Sequence, residues 1–233
     1  MGHPAPRRAT IADLLPLLDR DEPVELVDGE LVRKAAPDPA HGGSQAKLGE
    51  ALGPFNRKPG GPRGPGGWWI MTEVDTRYPR TGEVFRHDAQ GYRRDLWPER
   101  PTGVPVDAVP QWVCEILSPS NAQGLQVSRP GTNPCATRLA SWEGAPSGHD
   151  PTGEGVATRP PGAQIDLVKK QRTLHAHEVP HYWIVDPSHQ TLTVLRWHPE
   201  AYLQILTAGR GEVVTPEPFP GLALSIDDLL GFE

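Results

Sequence analysis

Cysteine is scarce: the 233 residues contain two, Cys114 and Cys135. Two thiols cannot build a disulfide framework, and they show none of the paired spacing of a metal knuckle. The chain therefore suits a reducing compartment and is expected in the cytoplasm. Excess positive charge is also missing, since 23 Lys and Arg stand against 29 Asp and Glu for a formal charge of -6. Bulk electrostatics thus give no attraction to nucleic acid or membrane, and a phosphate-binding surface has to be a local patch. No apolar run approaches the roughly 18 residues of a membrane span, so no membrane partner is expected. The opening residues lack a signal-peptide core, and Pro6 stands where a myristoylation signal wants Ser or Thr. The loop from Lys58 to Gly67 lacks the Gly-Lys-Ser/Thr ending of a phosphate-cradling loop, which removes that nucleotide role.

Proline and glycine are abundant instead, at 28 and 25 residues. Thr10 to Asp13 has a helix-start capping pattern, with Leu14, Leu15, Leu17 and Leu18 giving a short helix its apolar side. Val24 to Val32 alternates around Asp28-Gly29, a strong β-hairpin signal. Residues 42–54 predict a helix ending at Pro54. Strands are expected over Trp68–Tyr78, Val84–Asp88, Trp112–Leu117, His181–Asp186 and Thr191–Trp197, all rich in aromatic and β-branched residues. Ile165–His177 reads as a helix, with Ile165, Leu167, Val168 and Leu174 at helical spacing and cations on the other side. Tyr202–Leu206 and Glu212–Val214 extend the sheet, and Ile226–Leu230 reads as a closing helical turn. Between strand and helix, Gln123 to Ile165 holds six Pro, seven Gly and no sustained apolar period in 43 residues. Such a composition cannot bury enough surface to offset ordering, and we read 123–165 as a disordered insertion within one domain spanning 10–233.

Glu115 is the most informative position. In Trp112-Val-Cys-Glu-Ile-Leu117 it shares a face with Val113 and Leu117, while Trp112, Cys114 and Ile116 line the other. A carboxylate in a strand buried on both sides costs several kcal/mol unless it is paired, protonated or bound to a cation. A metal ligand and a structural ion pair both satisfy that condition. Asp88, at the end of Val84-Phe-Arg-His-Asp88, offers a second carboxylate, and two such groups at neighbouring strand ends suit Mg2+. Lys169 and Lys170 follow Glu115 by 54 and 55 residues, and by 11 and 12 once the insertion is set aside. A helix lysine at that spacing can return over the strand end to orient water and offset phosphoryl charge. His177-Glu-Val-Pro-His181 matches the zinc-peptidase pattern HEXXH, but Pro180 breaks the helical turn the two histidines require.

Glu25-Leu-Val-Asp-Gly-Glu30, His41, Phe85 to Tyr92, Val113-Cys-Glu-Ile-Leu-Ser-Pro-Ser120, Asp166-Leu-Val-Lys-Lys170 and Val179 to Asp186 occur in the order seen in one family. The chain resembles the Uma-two family of endonuclease-like proteins, within the PD-(D/E)XK restriction-endonuclease-like superfamily. The resemblance implies an α/β (α+β) fold with a mixed β-sheet flanked by helices and an N-terminal β-hairpin. It implies metal-dependent hydrolysis of DNA phosphodiester bonds, with Mg2+ or Mn2+ as cofactor and DNA as partner. A homodimer is suggested by the need to cut two strands. Carried over by position, Asp88 and Glu115 match the motif carboxylates and metal ligands, and Lys170 matches the catalytic lysine. Leu117 stands where the superfamily's strand lysine would be. Glu30 matches an acidic position facing the metal. His87 replaces the proline usual before the motif aspartate, Leu174 a tyrosine and Glu178 a glycine. The competing expectation is a catalytically inactive, nuclease-derived module that binds nucleic acid or protein.

Overall fold

The computed structural model describes residues 7–118 and 163–232. Helix α1 (Ile11–Leu18) starts at Thr10, whose capping box with Asp13 satisfies first-turn donors, and it seats Leu14 and Leu18 on strand β1. Strands β1 (Val24–Val27) and β2 (Glu30–Arg33) form the expected hairpin. Its turn residues Asp28 and Gly29 have φ of 53° and 76°, the left-handed pair that a two-residue hairpin needs. Helix α2 (Pro39–Leu52) begins before residue 42, because Asp38 caps it by accepting from the His41 N–H and Pro39 is preset for the first turn.

One folded ribbon of four strands joins two sheets. Strands β3 (Trp68–Met71) and β6 (Ala89–Arg93) pair in a six-stranded sheet of order β10-β9-β8-β7-β6-β3. Strands β4 (Val74–Tyr78) and β5 (Glu83–His87) pair in a four-stranded sheet of order β2-β1-β5-β4. The chain therefore changes sheet twice, at Thr72-Glu73 and again at Asp88. The single strand expected over Trp68–Tyr78 is corrected to two for this reason, and Glu73 takes φ of 53° at the break. Residues 89–93, which lie outside the expected strands, pair on both sides with β3 and β7 (Trp112–Ile116).

Strand β8 (His181–Asp186) runs parallel to β7, and helix α3 (Ala163–Ala176) supplies the crossover that parallel neighbours require. Residues 163–165 belong to this helix rather than to the insertion, and the rest of the predicted insertion lies outside the described residues. Strands β9 (Thr191–Arg196) and β10 (Leu203–Gly209) complete the sheet. A short ribbon of β11 (Val213–Val214) and β12 (Leu224–Ser225) leads into helix α4 (Ile226–Leu230).

The strand alternation of β7 sorts the core. Trp112, Cys114 and Ile116 pack with Leu48 and Leu52 of α2, Phe219 and Leu229 on one face. Val113 packs with Tyr78, Phe85, Leu174 and Tyr182 on the other. Gly91 is held between two tryptophans, where a Cβ would lie 3.0 Å from the Trp68 ring and 3.2 Å from Trp112. Gly91→Val is expected to cost about 1–3 kcal/mol through overpacking. Urea denaturation checks this, and an unchanged midpoint would mean that the rings have room to give.

Candidate active site

Both sheet changes put a carboxylate into the same place. Asp88 is 1% exposed, and its Oδ2 accepts from the Ile116 N–H at 2.6 Å. That bond fastens the bend after β5 to the end of β7. Its Oδ1 accepts from Lys34 Nζ at 2.6 Å, with His41 Nε2 at 3.4 Å. Burial works against the charge on Asp88, but His41 and Lys34 outweigh it and hold the carboxyl well below the ordinary range.

Glu115 lies one residue before the end of β7, on the Val113 face, and is 6% exposed. His87 Nδ1 is 2.6 Å from its Oε1, and Tyr78 Oη is 2.6 Å from His87 Nε2. Burial lowers the His87 pKa, so the ring is neutral. The chain of bonds then has one direction: Tyr78 donates to Nε2, and Nδ1–H donates to Glu115. The other carboxylate oxygen accepts from Lys170 Nζ at 3.3 Å, and the same ammonium donates to Glu25 Oε1 at 3.0 Å. Glu25 Oε1 also takes the Arg86 N–H at 2.8 Å. Burial opposes the charge on Glu115. The Lys170 ammonium outweighs it, with help from His87 and against repulsion from Asp88, so the pKa is lowered.

Lys170 reaches this position because α3 turns one stripe inward. Lys170, Thr173 and Leu174 are buried, as is His177 just past the helix end, in the i, i+3, i+4, i+7 pattern of a single helical face. The apolar periodicity of the sequence placed the cations outside. Instead Val168 is 46% exposed and Lys170 is at the core. Lys169 stays at the rim, 3.5 Å from Asp28.

The first of the two sheet changes supplies Glu73, whose backbone N–H donates to the His87 carbonyl at 3.1 Å. Its carboxylate accepts from Gln45 Nε2 at 2.9 Å and from Lys34 Nζ at 3.1 Å. Lys34 Nζ also donates to the Arg86 carbonyl at 3.0 Å. Burial disfavours the Lys34 ammonium, but Asp88 and Glu115 outweigh it and raise its pKa.

Lys170 touches Glu115 at 3.3 Å, and Asp88, bonded to the Ile116 N–H beside it, is near enough for its charge to act on Glu115. Glu30 is not part of this group: it shares a face of the hairpin with Glu25, but it sits exposed beside the turn, whereas Glu25, farther along β1, is buried against Lys170. Glu25 is the N-terminal acid that faces the site. Sequence reasoning missed Lys34, Glu73 and the bonding role of His87. A glutamate interrupting an apolar strand run was the available signal for Glu73. Two other acids near strand ends serve local structure: Asp95 pairs with Arg93 at the surface, and Asp186 accepts from the Ser188 and His189 N–H groups in a turn.

The HEXXH residues do not form a metal site. His177 follows α3, His181 opens β8, and Glu178 between them has φ of 56°. His177 Nδ1 donates to the Thr173 carbonyl at 2.8 Å, and Nε2 accepts from the Arg80 N–H at 2.9 Å. Burial and Arg80 lower its pKa below the ordinary 6.5. A histidine with a lowered folded pKa contributes stability that is full above the unfolded value and lost as pH falls. His177→Gln should therefore shrink the difference in unfolding free energy between about pH 7.5 and about pH 5.5. An unchanged difference would show that the ring titrates normally.

The donor set suits a divalent ion. An ionised carboxylate has about four lone-pair sites, and the close donors described above are two on each group: Lys34 and Ile116 N–H on Asp88, His87 and Lys170 on Glu115. Oxygen capacity remains on both, and hard oxygen donors are what Mg2+ takes.

The family model described as "putative restriction endonuclease", Uma2, matches residues 11–130 and 159–227. The chain belongs to the Uma2 family. The fold also resembles the crystal structure of a "putative nuclease belonging to DUF820" from Anabaena variabilis, with a TM-score of 0.56 and 19% identity over 96% of this chain and 98% of that one. No curated protein matches the chain. Uma2 membership supports a nuclease, and the bulk charge of -6 leaves nucleic-acid contact to local surfaces. No helix among the described residues is long and apolar enough to cross a membrane.

Proposed function

We propose that this Uma2 protein is a metal-dependent endonuclease that hydrolyses DNA phosphodiester bonds. The observation that supports the reading is that Asp88 is bonded to the N–H of Ile116, the residue after Glu115, while the Lys170 ammonium stands 3.3 Å from Glu115. Asp88 and Glu115 would hold the ion, Mg2+ or Mn2+. When bound there, it supplies Lewis acidity toward a phosphoryl oxygen and lowers the pKa of a coordinated water.

The remaining work belongs to the chain. The Ile116 N–H fixes the rotamer of Asp88, and the Tyr78–His87 pair fixes that of Glu115, so both ligands are preorganised. Lys170 keeps Glu115 ionised, can orient the attacking water, and offsets negative charge that grows on the phosphoryl oxygens. Burial of all three groups strengthens these interactions by excluding bulk water.

The test is nicking of supercoiled plasmid by the purified chain. Nicking is expected with Mg2+ or Mn2+, loss with EDTA, and recovery on re-addition; nicking that persists in EDTA would reject the reading. One observation favours a second reading, a binding module without cleavage: Lys34 and Lys170 already neutralise both carboxylates. A titration with no uptake of either ion, alongside retained DNA binding, selects that alternative.

A further inference from the structure

His41 Nε2 and one carboxylate oxygen each from Glu73 and Asp88 lie within 4.8 Å of one another. These three come from the first turn of α2 and from the two points where the ribbon changes sheet. His41 is 5% exposed, and its Nε2 makes no hydrogen bond although it stands 3.4 Å from Asp88 Oδ1. A buried ring nitrogen left without a hydrogen bond is costly, and a ring within 4.8 Å of an oxygen on each of two carboxylates has the surroundings of a metal ligand. The place also attracts positive charge, since Lys34 Nζ stands 2.6 Å from Asp88 and 3.1 Å from Glu73.

We propose that His41, Glu73 and Asp88 form a second divalent-cation seat, selective for transition ions such as Mn2+ over Mg2+, which the Lys34 ammonium fills until the ion arrives. The selectivity follows from the imidazole. Imidazole suits later first-row ions such as Fe2+ and Zn2+, and Mn2+ accepts one beside carboxylate oxygens, whereas Mg2+ holds to an octahedral shell of oxygens. The seat shares Asp88 with the hydrolytic reading and rests on it for nothing else, because neither Glu115 nor cleavage is needed for an ion to bind.

Titration calorimetry of the EDTA-treated full chain with MnCl2, paired with electron spin-echo spectra of the bound Mn2+, tests it. Wild type and Glu115→Gln should both take up Mn2+ and show modulation from a coordinated 14N nucleus. His41→Gln should lose that modulation and bind Mn2+ at this seat about tenfold or more weakly, with Glu73→Gln weakened similarly. Lys34→Met, which removes the competing ammonium, should tighten Mn2+ uptake and raise the unfolding midpoint in Mn2+ more than wild type does. Wild-type affinity and modulation in His41→Gln would overturn the proposal, as would loss of all Mn2+ uptake in Glu115→Gln. Retained nicking in Glu115→Gln would instead count against the hydrolytic reading and leave this seat standing.

Discussion

Glu115→Gln is expected to abolish metal-dependent plasmid nicking, a fall of at least about 10³-fold, while leaving the unfolding midpoint almost unchanged. The two effects separate for a structural reason. Glutamine keeps the shape of the side chain and one carbonyl oxygen, so it can still accept from His87 or Lys170. Lys170 also retains Glu25 at 3.0 Å, which limits the cost of removing one of its two anions. What disappears is the negative charge that would hold the ion, worth several kcal/mol in the transition state. Undiminished nicking would remove Glu115 from the chemistry. A collapse of the fold would mean that its main work is structural.

Lys170→Met should show the reverse balance, with a stability loss of about 3–5 kcal/mol in addition to lost activity. Glu25 and Glu115 are 3% and 6% exposed and share this ammonium, so its removal leaves two buried anions without their common counterion. Pairing the change with Glu25→Gln should recover much of the stability by deleting one of those charges, and none of the activity. Chemical denaturation of the two single variants and the double variant measures the coupling directly. Wild-type stability in Lys170→Met would show that other groups compensate these carboxylates.

The hairpin at Asp28-Gly29, the buried strand holding Glu115, and the helix carrying Lys170 were legible because each is encoded in a short window. The restriction-endonuclease-like mixture of sheet and helix was implied by the family resemblance. The site was legible only in part. Asp88 and Glu115 could be singled out as acids in apolar strands, but no local pattern reveals that a ribbon leaves one sheet for another at Glu73 and at Asp88. That crossing depends on β3 and β6 pairing in one layer while β4 and β5 pair in the next. Lys34 sits just after β2 and meets Asp88 across 54 residues of sequence, a contact that only the folded chain creates. Resemblance points to Glu30, and strand alternation cannot separate it from Glu25, because the register puts both on one face of the hairpin; only the packed fold buries Glu25 against Lys170 and leaves Glu30 exposed beside the turn. His87 looked like a harmless replacement for a backbone-shaping proline. In the fold it joins Tyr78 to Glu115.

The most direct test is the position of the ion itself. Crystals grown with Mn2+ and measured for anomalous scattering should show a peak contacting carboxylate oxygens of both Asp88 and Glu115, with Lys170 retained beside Glu115. Carboxylates that remain clasped by Lys34 and Lys170, with no anomalous peak between them at saturating Mn2+, would contradict metal-dependent cleavage at this seam.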